Sequence, residues 1–251
     1  MTTTIAVAGK GGTGKTTLSA LIIRHLHRRG KVPILAVDAD PAAHLAEALG
    51  MNVEKTVGTT QAEFHDSRLQ LPPGMPKNVY LEMCLNQVIV EGKGLDLITM
   101  GRPEGPGCYC SSNAVLREFL DVLGKNYSYV VMDNQAGMEH LSRKTTQNVD
   151  VLLMLSDQSI RGIRTVGKLL DLIRELNLRV NRSYMVIDRT SGILAPPLEE
   201  AIAQTGIDLA GCIPVDENII EFDQLSRPLM DLPDNSPAVD AVAELMEKLS
   251  V

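Results

Sequence analysis

Tryptophan is absent from the 251 residues, and aromatic side chains make up only 3% of the chain. A core must therefore be filled by aliphatic residues and the 11 methionines. Basic residues are also in short supply, with 24 Lys and Arg against 31 Asp and Glu for a net charge of −7. Proteins that grip nucleic acid usually present a basic face. None is evident here, so no nucleic-acid partner is expected. No apolar run approaches the roughly 20 residues that span a bilayer, and no membrane association is expected. The opening residues lack a basic, apolar, small-residue leader, which makes the cytoplasm the expected location. Cysteines number only four. In a cytoplasmic chain they are poor candidates for structural disulfides, leaving metal binding, redox chemistry or burial.

What is present reads as an ordinary folded chain, 44% hydrophobic and 22% charged. Its length suits one large α/β domain. Short apolar runs alternate with helical patterns from end to end: Ile5–Ala8, then Leu18, Leu21, Ile22 and Leu26 at helical spacing, then Ile34–Val37. Further strand-like runs are Leu95–Met100, Tyr129–Met132, Val151–Leu155, Tyr184–Ile187 and Leu209–Ile213. Ile163, Val166, Leu169, Leu170 and Ile173 mark a helix, and Ala238–Leu249 reads as a closing amphipathic one. Continuously apolar strands separated by helices predict a mostly parallel sheet covered on both faces. The chain is read as a single P-loop domain over 1–251, with residues 51–107 as irregular insertions.

The segment Gly9-Lys10-Gly11-Gly12-Thr13-Gly14-Lys15-Thr16-Thr17 fits GxxxxGK[ST] between a strand and a helix. Its glycines let backbone N–H groups face phosphate oxygens, and the helix that follows adds its positive end. Lys15 is placed to neutralise β- and γ-phosphate charge, and the Thr16 hydroxyl to reach Mg²⁺. Val37-Asp38-Ala39-Asp40-Pro41 ends the second strand with two carboxylates. Tyr129-Val130-Val131-Met132-Asp133 is an apolar strand ending in an acid, the Walker B pattern, so Asp133 is expected to hold Mg²⁺ through water.

The whole string GKGGTGKTT resembles the deviant Walker A loop of the MinD/ParA/nitrogenase-iron-protein class of ATPases. That resemblance implies ATP as nucleotide and a homodimer in which Lys10 reaches the partner's nucleotide, as an arginine finger does. It implies that Asp40, just before the proline, is the catalytic acid. The class commonly reads adenine with an Asn after a late strand. Here Asp188 stands at that point, followed by Arg189. A carboxylate can accept from the adenine amino group or from the N–H edge of guanine, so base identity stays open. Pro214-Val215-Asp216 resembles the class's second base-contacting loop.

Cys108-Tyr109-Cys110 can supply half of a tetrahedral thiolate site that a second copy of the chain would complete, or be a chance pair of loop cysteines. Cys84 and Cys212 lie in apolar, strand-like runs and read as core thiols. His25 and His27, two apart on a helix, point to different faces. The phosphate loop, VDADP, CYC and the stretch Asp133-Asn134-Gln135-Ala136-Gly137-Met138-Glu139-His140-Leu141 are together similar to the CooC-type nickel-insertion ATPases. Asn134-Gln135 departs from the glycine expected there. This resemblance implies that Ni²⁺, with Zn²⁺ an alternative, binds Cys108 and Cys110 of two chains. It also implies delivery to carbon monoxide dehydrogenase or acetyl-CoA synthase. Two rivals stand beside it: a MinD/ParA-type positioning ATPase, and an iron–sulfur scaffold using the same thiolates.

Overall fold

The computed structural model describes residues 2–66, 74–102, 118–135, 148–176 and 178–251. These residues form a seven-stranded sheet in the order β3-β2-β4-β1-β5-β6-β7. The strands are β1 (Thr3–Gly9), β2 (Ile34–Asp38), β3 (Leu95–Thr99), β4 (Tyr129–Asp133), β5 (Asn148–Ser156), β6 (Arg179–Thr190) and β7 (Asp208–Pro214). Every ladder is parallel. Parallel strands are joined by crossovers, and helices lie between β1 and β2, β2 and β3, β5 and β6, and β6 and β7, with two more after β7: α1 (Lys15–Arg28), α2 (Leu45–Leu49), α3 (Val57–Asp66), α4 (Lys77–Asn86), α5 (Ile160–Glu175), α6 (Pro196–Thr205), α7 (Glu217–Gln224) and α8 (Pro237–Lys248).

The expected two-faced burial follows from alternation along the strands. On β1, Ile5 and Val7 enter one hydrophobic cluster with the buried face of α1, including Leu18, Leu21, Ile22 and Leu26. Ala6 and Ala8 enter the opposite cluster, which holds Ile163, Val166 and Ile173 of α5. Both clusters are almost wholly aliphatic, as a chain poor in rings requires. Helix α1 is followed by Gly30 at φ 67°, and His25, His27 and Arg28 lie in its last turn where cations favour the dipole. Helix α5 starts at Ser159, whose hydroxyl accepts from Gly162 N at 3.0 Å.

Two expectations need correction. Residues 51–107 are not simply irregular, because α3 and α4 fall within them beside β3. Cys84 is not on a strand but on α4, where it is half-buried. The apolar run around it buries Leu81 and Leu85, four residues apart, and exposes Met83. That is one stripe of a helix, which a short apolar run does not distinguish from a strand. Cys212 does lie on a strand, half-buried against the core.

Candidate nucleotide and phosphate site

In parallel α/β sheets, ligand loops gather at the carboxyl ends of the strands. Here β1, β2, β4, β6 and β7 carry the candidate residues to one edge of the sheet. The register fixes their relative heights. Asp38 on β2 pairs directly with Asp133 on β4, and Asp133 pairs with Val7 on β1. The phosphate loop begins two residues after Val7.

The loop is built around the carbonyl of Lys10. It accepts from Thr13 Oγ1 at 2.7 Å and from Lys15 Nζ at 3.2 Å. Thr13 and Lys15 are buried, while Lys10, Gly11 and Gly12 are exposed. The Lys10 side chain makes no ion pair with the described residues. Gly14 precedes α1 at φ 76° and gives that helix no side-chain cap. The first N–H groups of α1 are therefore left for an anion. The first turn of α1 carries no acid that would compete for that place. Gly9 is needed for space, since a Cβ there would meet Leu155 O at 2.6 Å. Thr16 and Thr17 follow, each half-buried at the start of α1.

Asp133 is buried and its Oδ2 accepts from Thr16 Oγ1 at 2.5 Å. Its Oδ1, equally buried, has no hydrogen-bond partner among the described residues. Burial pushes the carboxyl up to about 6, against the hydrogen bond from Thr16 and the charge of Lys15. A buried carboxylate with one unsatisfied oxygen beside a threonine hydroxyl is a donor set suited to Mg²⁺. Asp38 is fully buried, and its oxygens accept from Asp40 N at 3.1 Å and Leu45 N at 2.9 Å. Burial raises its carboxyl to about 7, and the like charge of Asp133 adds to the rise. Asp38 thus organises the loop that presents Asp40. Asp40 itself is half-buried, with Oδ1 accepting from Ala42 N at 2.9 Å.

On the other flank, Asp188 and Arg189 near the end of β6 close against the loop. Arg189 donates to Gly12 O at 2.8 Å and lies 3.2 Å from Asp188 Oδ2. Burial pushes the Asp188 carboxyl up, and the Arg189 charge partly offsets it. Pro214 ends β7, and Val215 N donates to Thr190 O at 3.3 Å, which ties the two flanking loops together. The Asp216 side chain is engaged within the fold. It is buried, caps α7 by accepting from Asn218 N at 2.9 Å, and accepts from Ala238 N at 2.9 Å and from Ser236 Oγ. Burial opposes its ionisation, but these hydrogen bonds outweigh it and hold the carboxyl below its usual range. Val215 beside it is 53% exposed.

Two side chains whose contacts were not anticipated from the sequence join the site. Asn134 is buried and donates to Val7 O at 2.9 Å, so this departure from glycine cross-links β4 to β1 just beyond Asp133. Gln158 donates to Arg189 O at 2.8 Å. Neither contact leaves a sequence signal, because each joins the ends of different strands. Cys108, Cys110 and the stretch Ala136–Leu141 lie outside the described residues. No helix among the described residues is long and apolar enough to cross a membrane.

Comparison with known proteins matches this arrangement. The family model of the CobQ/CobB/MinD/ParA nucleotide binding domain covers residues 4–229. An ATP-binding protein of Methanocaldococcus jannaschii is 42% identical over 98% of this chain and 97% of its own. The carbon monoxide dehydrogenase accessory protein CooC of Rhodospirillum rubrum is 31% identical over 93% of this chain and 90% of its own. The septum site-determining protein MinD of Pyrococcus horikoshii, solved with Mg-ADP, superimposes with a TM-score of 0.73 at 19% identity, covering 99% of this chain and 96% of that one. The chain therefore belongs to the CobQ/CobB/MinD/ParA nucleotide-binding family and is an ATPase of the MinD/ParA class.

Proposed function

We propose that this ATPase is a nickel chaperone, acting as a homodimer that carries Ni²⁺ between the Cys108 and Cys110 thiolates of two chains. It delivers the metal to carbon monoxide dehydrogenase or acetyl-CoA synthase. The observation that carries the reading is one chain combining an exposed Lys10, without an ion pair among the described residues, with a Cys108-Tyr109-Cys110 triplet, at 31% identity to CooC. Zn²⁺ suits the same thiolates and is the competing cargo.

In this reading a water attacks the γ-phosphorus, and the bond to the β-phosphate oxygen breaks to leave ADP and phosphate. Asp40 orients the water and takes up its proton. Lys15 neutralises charge from within the chain, and Lys10 of the partner subunit does so across the interface. Mg²⁺, held by Thr16 and through water by Asp133, would supply further charge neutralisation. Asp38 holds the Asp40 loop in shape, and Asp188 with Val215 lines the base. The γ-phosphate joins the two chains through Lys10, so its loss loosens the interface and the shared thiolate site.

Anaerobic titration of the purified chain with Ni²⁺, with and without a non-hydrolysable ATP analogue, tests this. The expected stoichiometry is one Ni²⁺ per two chains, lost in Cys108→Ser/Cys110→Ser. A broad visible absorption band in the anaerobically isolated protein would instead identify an iron–sulfur scaffold. One-to-one binding that survives the double substitution would remove the thiolate site altogether. In the same preparation, Asp40→Ala is expected to bind ATP yet leave it uncleaved, and retained turnover would assign water orientation to another residue.

A further inference from the structure

The Asp188 carboxylate is divided between two tasks. Its side chain is only 13% exposed and closes against the phosphate loop. A Cβ added at Gly14 would meet Oδ2 at 2.5 Å but Oδ1 only at 3.5 Å. The same Oδ2 faces Arg189 Nε at 3.2 Å. Arg189 is itself clamped: it donates to Gly12 O at 2.8 Å, and its carbonyl accepts from Gln158 Nε2 at 2.8 Å. Its backbone sits at φ 54°, a region that residues other than glycine seldom occupy. The Arg189 side chain is 57% exposed, and these contacts hold it against Oδ2. Among the described residues no other side chain is paired with the Asp188 carboxylate, to which the Arg189 N–H also donates.

The two purines ask different things of a carboxylate. Guanine presents two adjacent donors, N1–H and the 2-amino group, which match both oxygens of one carboxylate. Adenine presents one donor, the 6-amino group, beside the N1 lone pair, which repels a second anionic oxygen. We propose that Arg189 sets the purine preference of this ATPase: by neutralising Oδ2 it weakens that oxygen as a second acceptor and leaves Oδ1 as the stronger one. One oxygen satisfies the adenine amino group and falls one short of the guanine edge. The inference rests on the placement of the base at Asp188. It adds a residue that acts through Asp188, not on the base directly.

The test is the ratio of kcat/KM for ATP to kcat/KM for GTP, with Kd measured for both nucleotides. It compares wild type, Arg189→Ala, Arg189→Gln, Asp188→Ala and the double variant Asp188→Ala/Arg189→Ala. Arg189→Gln places its amide nitrogen where Nε stood, so it keeps a neutral donor to Oδ2 and loses the reach to Gly12 O. The wild type is expected to favour ATP. Arg189→Ala should move the ratio toward GTP by roughly 10- to 100-fold, the usual discrimination of a bidentate pair, and Arg189→Gln should move it less. The double variant should show no shift beyond that of Asp188→Ala. Equal losses for both nucleotides in Arg189→Ala, or a wild type that favours GTP, would overturn the inference. If Asp188→Ala changes neither Kd, the placement of the base falls together with it. If Asp188→Ala abolishes discrimination while Arg189→Ala keeps the wild-type ratio, only the role of Arg189 falls.

Discussion

The acids on the two flanks of the phosphate loop are handled in opposite ways. On the β2–β4 flank, Asp38 and Asp133 are buried side by side with no ion pair among the described residues, and their carboxyls rise to about 7 and about 6, the charge of Lys15 offsetting only part of the rise at Asp133. On the β6–β7 flank, Asp188 has Arg189 against it, and Asp216 is held below its usual range by hydrogen bonds from Ser236, Ala238 and Asn218. Buried negative charge without compensation is costly. One flank carries that cost and is suited to a cation. The other is satisfied by contacts within the fold. The phosphate loop lies between them.

Removing the cation inside the loop should have the largest effect. Lys15→Ala deletes the buried ammonium that donates to Lys10 O, and with it charge stabilisation of the transferred phosphoryl group. Loss of one preorganised donor of this kind costs about 100- to 1000-fold in turnover, and a phosphate-release assay should read at least that. Unchanged turnover would show that phosphate is bound elsewhere.

Asp216→Ala breaks the satisfied flank. It leaves the N–H groups of Asn218 and Ala238 and the Ser236 hydroxyl without their acceptor. Unsatisfied buried groups cost about 1–3 kcal/mol each and do not add fully, so denaturant unfolding should show a loss of about 3 kcal/mol. Because this carboxylate is spent inside the fold, the Kd for ATP under native conditions should change little. A large loss of affinity with unchanged stability would return Asp216 to the binding site.

The unsatisfied flank is sharpened by pH. In the unfolded chain Asp133 titrates near 3.8 and in the folded chain near 6. Between those values the folded chain holds more proton than the unfolded one. The contribution of Asp133 to stability without metal is therefore greatest below about pH 4 and is lost as pH rises to about 6. Asp38 extends the fall to about pH 7. In chelator, Asp133→Asn should remove the portion between about pH 4 and 6, on the order of 1–3 kcal/mol, read from thermal unfolding. Mg²⁺ with nucleotide should reverse the slope, because the ion binds the ionised carboxylate. A metal-free wild type whose stability rises through this window would contradict the picture of uncompensated burial.

These contrasts mark what could be read without coordinates. The parallel sheet and the loop between β1 and α1 were legible, because apolar runs such as Val151–Leu155 and the glycines around Lys10 and Lys15 are local patterns. That acids stand at the ends of β2, β4 and β6 was legible for the same reason. How each acid is satisfied was not, since its partners come from elsewhere in the chain. Asp216 meets Ser236 across 20 residues and Asp133 meets Thr16 across 117. Helix α4 was missed because its apolar residues Leu81 and Leu85 sit inside an almost continuous apolar run. The Cys108-Tyr109-Cys110 triplet lies outside the described residues, and its role rests on composition and resemblance.

The central proposal is that nucleotide and nickel share one dimer. Each binds groups from two chains, Lys10 in one case and Cys108 with Cys110 in the other, so each should favour dimerisation. Linkage requires any such coupling to be reciprocal, typically about 1–3 kcal/mol. The deciding measurement is sedimentation of wild type and Cys108→Ser/Cys110→Ser with Ni²⁺, with a non-hydrolysable ATP analogue, and with both. The account predicts that each ligand alone shifts the wild type toward dimer and that both together shift it further. The double variant should lose only the part driven by nickel. Nickel that binds the wild-type monomer one-to-one and leaves the dimer equilibrium unmoved would contradict it.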